Sequence, residues 1–213
     1  MAGSSRYTAI LDANVLYPQL VRDLLLSLAA CGLYHARWSV DINNEWTRSF
    51  AAKMLASADK IPAIVAAMAA VIPDSQVTGY QSLIAGLELP DSDDRHVLAA
   101  AIAGHVDCIV TFNLKDFPTA VLSRHDIEAL HPDEFIMNQL QLHQLTALTA
   151  VKEMRARWKN PDGPSSTRRP VRQYAVLQGK AIRLSAPSEL CNLRISIWLA
   201  NSLRWGHDAR VGK

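Results

Sequence analysis

The chain has 213 residues, 49% of them hydrophobic and 20% charged, which suits a globular domain with a sizeable core and excludes both a stapled mini-protein and wholesale disorder. The apolar run from Ile61 to Ile72 holds 12 residues, short of the roughly 18 to 20 that span a bilayer, and the first residues lack the basic-then-apolar order of a secretory signal. The formal net charge of +2 divides unevenly: residues 1 to 150 carry −7 and residues 151 to 213 carry +9, an acidic body with a basic tail suited to phosphate. Cys31, Cys108 and Cys191 are odd in number and at no metal-ligand spacing, so a reducing, cytoplasmic setting is expected.

In chain order, the apolar run Tyr7 to Leu11 predicts a buried strand that ends at Asp12. Pro18 opens a helix over Leu20 to Leu28 that ends near Gly32. Ser39 precedes a second helix containing Glu45, Trp46 and Arg48. A third helix is expected from about Ala58 through Ile72, closed by Pro73, with Asp59 in its first turn. Periodicity is weak from Val77 to Leu89. Pro90 to Asp94 then lead into the helix HVLAAAIAGH, apolar on nearly all sides and so buried between layers, with Gly104 near its end. Asp107 to Thr111 is a second buried strand, followed by PheAsnLeuLysAspPhePro. Helices around Pro132 to Leu142 and Leu145 to Trp158 come next, and beyond Asn160 the run ProAspGlyProSerSerThrArgArgPro reads as a linker. Strands alternating with helices indicate an α/β fold with a parallel sheet.

In such a sheet the functional crevice lies beyond the carboxyl ends of the strands. Asp12 follows the first strand, and Asp116 follows the second with Asn113 between; Asp94 opens the buried helix and Glu45 lies on the second helix. Gathered on one edge, four carboxylates repel unless a cation compensates them. Oxygen donors suit Mg²⁺ or Mn²⁺, and the chemistry served is metal-assisted phosphodiester hydrolysis. Each residue also has an ordinary reading: Asp91 to Asp94 as helix caps, Glu45 as a solvated face, Asp116 as a turn residue. Asp12, buried at a strand end, is harder to dismiss.

LDANVLYP at 11 to 18, the downstream Glu45 and the string LPDSDDRHVLAAAIAGHVDCIVTFNLKDFP at 89 to 118 together resemble the PIN-domain ribonucleases, most of all the bacterial VapC-type toxins of toxin–antitoxin operons. The resemblance covers residues 5 to 135 as a nuclease domain, with 136 to 160 as a helical extension and 161 to 213 as a basic segment of unknown role. It implies a three-layer α/β/α fold, Mg²⁺ or Mn²⁺ dependence, endonucleolytic cleavage of RNA, a homodimer and a cognate antitoxin. By the same resemblance Asp12, Glu45, Asp94 and Asp116 are the catalytic, metal-ligating acids, Asp94 matching better than Asp91 or Asp93. Asn14 and Asn113 are their polar companions. His96 reads as a structural residue of the helix's first turn.

Other classes fit less well. A haloacid-dehalogenase-like phosphatase needs a second Asp where Asn14 stands, and neither GxxxxGK[ST] nor GxGxxG occurs. The non-enzymatic alternative is a PIN-like binding module without activity, which the retention of all four acids argues against.

Overall fold

The computed structural model of the protein describes residues 7–157, 175–177 and 180–182. Five strands form one parallel sheet: β1 (Thr8–Leu11), β2 (His35–Ser39), β3 (Gln76–Val77), β4 (Cys108–Val110) and β5 (Glu128–Leu130), in the order β3-β2-β1-β4-β5. Central β1 pairs with β2 and β4, with Ala9 opposite both Ala36 and Cys108. Ala9, Ile10, Leu11, Cys108, Ile109 and Val110 are fully buried, as strands covered by helices on both faces must be.

From β1 the chain builds outward through β2 to β3, then returns across the sheet to place β4 on the other side of β1. Right-handed crossovers, the rule for parallel βαβ units, put the helices of the two halves on opposite faces. The result is the three-layer α/β/α fold, and the loops after β1 and β4 diverge from adjacent strands at the point of reversal.

The helices are α1 (Ala13–Leu16), α2 (Gln19–Ala30), α3 (Val40–Lys53), α4 (Ile61–Val71), α5 (Gln81–Ile84), α6 (Arg95–Ala103), α7 (Thr119–Leu122), α8 (Pro132–Leu142) and α9 (Gln144–Ala156). Helix α2 ends as the sequence predicts: Gly32 takes a positive φ of 76°, its N–H donates to the Ala29 carbonyl and that of Leu33 to the Leu28 carbonyl, a Schellman closure. Helix α6 lies on β1, β2 and β4 with Val97, Leu98, Ala99, Ala100 and Ala101 fully buried, and its small alanines let it sit close to the sheet. At its end the left-handed residue is His105, at φ 48°, rather than Gly104. Gly104 is needed for space instead, since a Cβ there would lie 3.0 Å from both the Ala100 carbonyl oxygen and Val77 Cγ2.

Three expectations change. The third helix is shorter than predicted, because Leu55–Lys60 forms a 3-10 turn that holds Asp59 and α4 begins at Ile61 with Pro62 in its first turn, a favourable place for proline. Strand β2, whose HARWS sequence lacks β-branched residues, was not predicted as a strand, and neither were the two-residue β3 and the three-residue β5. In the other direction, α4 carries no charged residue yet buries only Met68. Helices α8 and α9 follow the predicted positions, α8 packing on α2 and α9 burying Ala147, Ala150, Val151 and Met154.

The chain forms two compact units, Met1–Met154 and Arg155–Lys213. In the second unit, β6 (Ala175–Leu177) and β7 (Lys180–Ile182) pair antiparallel, with Ala175 opposite Ile182. The predicted linker after Asn160 and Trp158 lie outside the described residues.

Helix α3, which carries Glu45, starts at Ser39, a fully buried residue whose hydroxyl accepts a hydrogen bond from the Ile42 N–H at 3.2 Å. Ser39→Ala should therefore lower stability by about 1 kcal/mol, measured as a drop in the denaturant midpoint with an unchanged slope.

Candidate active site

The reversal of the sheet brings the residues after β1 and β4 together. Asp12 caps α1 with its backbone extended, and it is only 3% exposed. Its Oδ1 accepts from the Ala13 N–H at 2.6 Å, and its Oδ2 accepts from Asn14 Nδ2 at 2.6 Å and from the Thr111 hydroxyl at 2.7 Å. Thr111, fully buried just beyond β4, is the centre of this network: its Oγ1 also accepts from Asn14 Nδ2 at 2.9 Å and from the Asn113 N–H at 3.0 Å. Asn14 Oδ1 in turn accepts from the Phe112 N–H at 3.1 Å. The side-chain amide of Asn113 donates to Asp116, which is buried on the following 3-10 turn. Asn14 and Asn113 thus each donate to a carboxylate. Thr111 was missed, because a threonine at a strand end is ordinary in sequence and its role appears only when β4 pairs beside β1.

Asp94 sits at the start of α6 and makes no capping hydrogen bond. Asp91 instead caps the preceding 3-10 turn Ser92–Asp94, its Oδ1 accepting from the Asp93 N–H at 2.9 Å. Ligand oxygens of Asp91, Asp94 and Asp116 all lie within 4.8 Å of one another. That trio brings in Asp91, which sequence reasoning ranked below Asp94, while Asp12 and Glu45 lie outside it. Asp93 is exposed and takes no part in the trio.

Glu45 projects from α3 with its carboxylate 3.3 Å from His96 Nε2, and His96 Nδ1 is buried without a hydrogen-bond partner. His96 is thus tied to the site through Glu45, beyond the structural part first expected of it. Burial lowers the His96 pKa, but the hydrogen bond and charge of Glu45, aided by Asp41 and Asp12, outweigh it and leave the imidazole above its ordinary value.

The carboxylates also perturb one another. Burial raises the Asp12 pKa to about 6; the Thr111 hydrogen bond opposes that rise, the charge of Glu45 adds to it, and the Ala13 N–H and His96 pull it back. Burial, then the charges of Asp12, Asp91, Asp116 and Glu45, push Asp94 up to about 7. An all-oxygen, net-negative donor set whose members resist ionising together fits a hard divalent cation, which would relieve both the burial and the repulsion.

Residues 8–115 match the family model described as PIN domain. The chain belongs to the PIN-domain family. Residues 132–164 match a second model, described as VapC50 C-terminal domain. A Mycobacterium tuberculosis (strain H37Rv) protein named "Putative ribonuclease VapC50" is 48% identical over 66 residues, 31% of this chain and 38% of that protein. The chain therefore covers well under half the length of that relative. No solved structure matches. In this PIN domain Asp12, Asn14, Glu45, Asp94 and Thr111 fall inside the matched segment, and Asp116 is the next residue after it.

The raised acids carry a stability signature. Asp12 and Asp94 move from 3.8 to about 6 and about 7, so between these limits the folded state binds more protons than the unfolded chain and stability falls as pH rises. In EDTA, the melting temperature should decline from about pH 4 to about pH 7 and then level off. Asp94→Asn should flatten the upper part of that decline in a thermal melt, and added Mn²⁺ should raise the melting temperature most above that window, where the carboxylates are free of protons.

Proposed function

We propose that this chain is a metal-dependent endoribonuclease that hydrolyses RNA phosphodiesters with a carboxylate-held Mg²⁺ or Mn²⁺, and that it is the toxin of a toxin–antitoxin pair. The observation that carries the reading is the crowding of Asp91, Asp94 and Asp116 within 4.8 Å, next to a buried Asp12 at the sheet's reversal. Membership of the PIN-domain family and the name of the mycobacterial relative support it.

Asp94 and Asp116, joined by Asp91, would hold the ion, with Asp12 and Glu45 completing the set. Once bound, the cation supplies charge neutralisation at the phosphate and a Lewis acid for the hydrolysis. The chain's own residues prepare for it. Thr111 and Asn14 fix Asp12 in one rotamer, and Asn113 fixes Asp116. His96 steers Glu45. With a pKa of about 7, Asp94 gives up its proton readily at neutral pH when positive charge arrives. Asp91 spends one oxygen on its own turn, which holds the loop in shape before α6.

Residues 5 to 135 are the nuclease domain in this reading, residues 136 to 160 a helical extension, and the basic residues 161 to 213 a source of non-specific RNA affinity. The protein acts in the cytoplasm as a homodimer. A cognate antitoxin silences it, a basic side chain of the partner taking the place of the cation among the carboxylates.

Asp12→Asn and Asp94→Asn should each lower Mn²⁺-supported cleavage of RNA by about a hundredfold or more while the protein stays folded. Full activity in either variant, or in EDTA, would overturn the metal mechanism. Expression of the chain alone should arrest bacterial growth, and co-expression of the neighbouring reading frame of its operon should restore it. Normal growth with soluble, active nuclease would count against the toxin role.

A further inference from the structure

Between Thr111 and Asp116 the chain carries groups that the acidic cluster does not use. Phe112 follows Thr111 directly, and its N–H donates to Asn14, so the residue is fixed to the Asp12 network by its own backbone. Its ring meets the imidazole of His131 edge-on, with centroids 5.3 Å apart and planes at 73°. His131 follows β5 just as Phe112 extends beyond β4, and Val110 pairs with Leu130 across the two strands. The two rings are therefore neighbours at the carboxyl edge of the sheet, and Phe112 stands in the same loop as Asp116. Lys115 is exposed on the turn between Asn113 and Asp116, and Leu114 beside it is 41% exposed.

Trp38, Trp46, Tyr34, Tyr80, Phe117 and Phe135 are at most 2% exposed, whereas Phe112 and His131, like Tyr7, Tyr17 and Phe50, are only half-buried; among these rings Phe112 is the one whose backbone is bonded to Asn14 in the described contacts. His131 is anchored as the cap of α8, its Nδ1 accepting from the Asp133 N–H at 3.3 Å and lying 3.6 Å from the Asp133 carboxylate, while both rings stay partly in water, where an aromatic surface can receive a flat ligand. Proteins that bind single-stranded nucleic acid combine such surfaces with cations that track the backbone. A cation is needed here because the first 150 residues carry a net −7, which disfavours a polyanion unless local positive charge offsets it.

We propose that Phe112 and His131 form a stacking platform for an unpaired base next to the scissile phosphate, and that Lys115 contacts an adjacent phosphate. The inference rests on the ribonuclease reading and deepens it: the site takes RNA whose bases are free to leave the helical stack. A duplex keeps its base faces stacked and offers the platform nothing.

The test uses full-length protein carrying Asp94→Asn and a short single-stranded RNA containing 2-aminopurine, whose fluorescence is quenched on stacking. Adding Phe112→Leu should weaken binding about tenfold, equivalent to ~1.4 kcal/mol, and abolish the quench, while Phe112→Tyr keeps both. His131→Asn, which removes the ring but keeps a side-chain acceptor to cap α8, should act in the same direction, and it decides the matter if Phe112→Leu does not fold. Lys115→Gln should reduce the slope of log affinity against log salt by about one. Unchanged affinity and quench in the Phe112→Leu and His131→Asn variants, as expected if the rings instead face a protein partner, would overturn the platform, and so would equal affinity for duplex RNA. Cleavage by the unsubstituted protein with Mn²⁺ separates the two levels: if no RNA is cut the ribonuclease reading falls, whereas cutting together with unaltered Phe112→Leu binding removes only the platform.

Discussion

Repulsion among carboxylates is the constraint around which this molecule is arranged. Asp12, Asp91, Asp94 and Asp116, with Glu45 near them, each add negative charge to a partly buried crevice, and Asp94 registers all of the others. Such a group disperses unless its members are held, and the holding is explicit here. Asp12 is gripped by a backbone N–H, an amide and a hydroxyl, Asp116 by the Asn113 amide, Asp91 by its own turn and Glu45 by His96. Asp94 alone lacks a hydrogen bond of this kind in the described contacts, and its pKa is raised further than that of Asp12. Rigidity of the neighbours thus concentrates the unrelieved charge on a single residue, which is the arrangement a cation relieves most effectively.

The topology explains why the crowding occurs at this place. A parallel sheet whose chain grows one way and then returns must send two loops apart from adjacent strands, and β1 and β4 are those strands. Loops that part in this way leave a crevice floored by strand ends, with helix starts at its rim. Asp12 and Thr111 line the floor, while Asp94 stands at the start of α6. Function and fold meet because the sheet can bury Ala9 to Leu11 and Cys108 to Val110 completely while the very next residues turn polar.

Much of this was legible in the residues themselves, and what was not has a physical cause. Strands β1 and β4 are apolar runs ended by polar residues, and α6 is apolar all round, so local composition identifies them. Asp12 and Asp116 could be placed just after these strands from their position in the sequence, whereas Asp94 was singled out from Asp91 and Asp93 by the family resemblance. Strand β2 was obscured because His35, Arg37 and Ser39 are polar in sequence, although Ala36, Trp38 and Ser39 are buried. Its strand character comes from pairing with β1, a tertiary effect that overrides propensity. The contact of Glu45 with His96 joins two helices 51 positions apart and leaves no local trace. Likewise, separating Asp91 from Asp93 required the actual turn of the Ser92–Asp94 3-10 segment, since three aspartates within four residues are equivalent on paper.

The strand order also dictates when the crevice exists during synthesis. Its floor needs β1, made first, to pair with β4, and its last carboxylate is Asp116, more than half-way along the chain. Asp12 must wait through about a hundred intervening residues before Thr111 can reach it, a long loop to close and a slow kind of contact to form. A polypeptide still emerging from the ribosome, or one broken off early, therefore holds its first aspartate without the other half of the crevice. Whatever the finished protein does to its surroundings, its unfinished copies lack the assembled machinery to do.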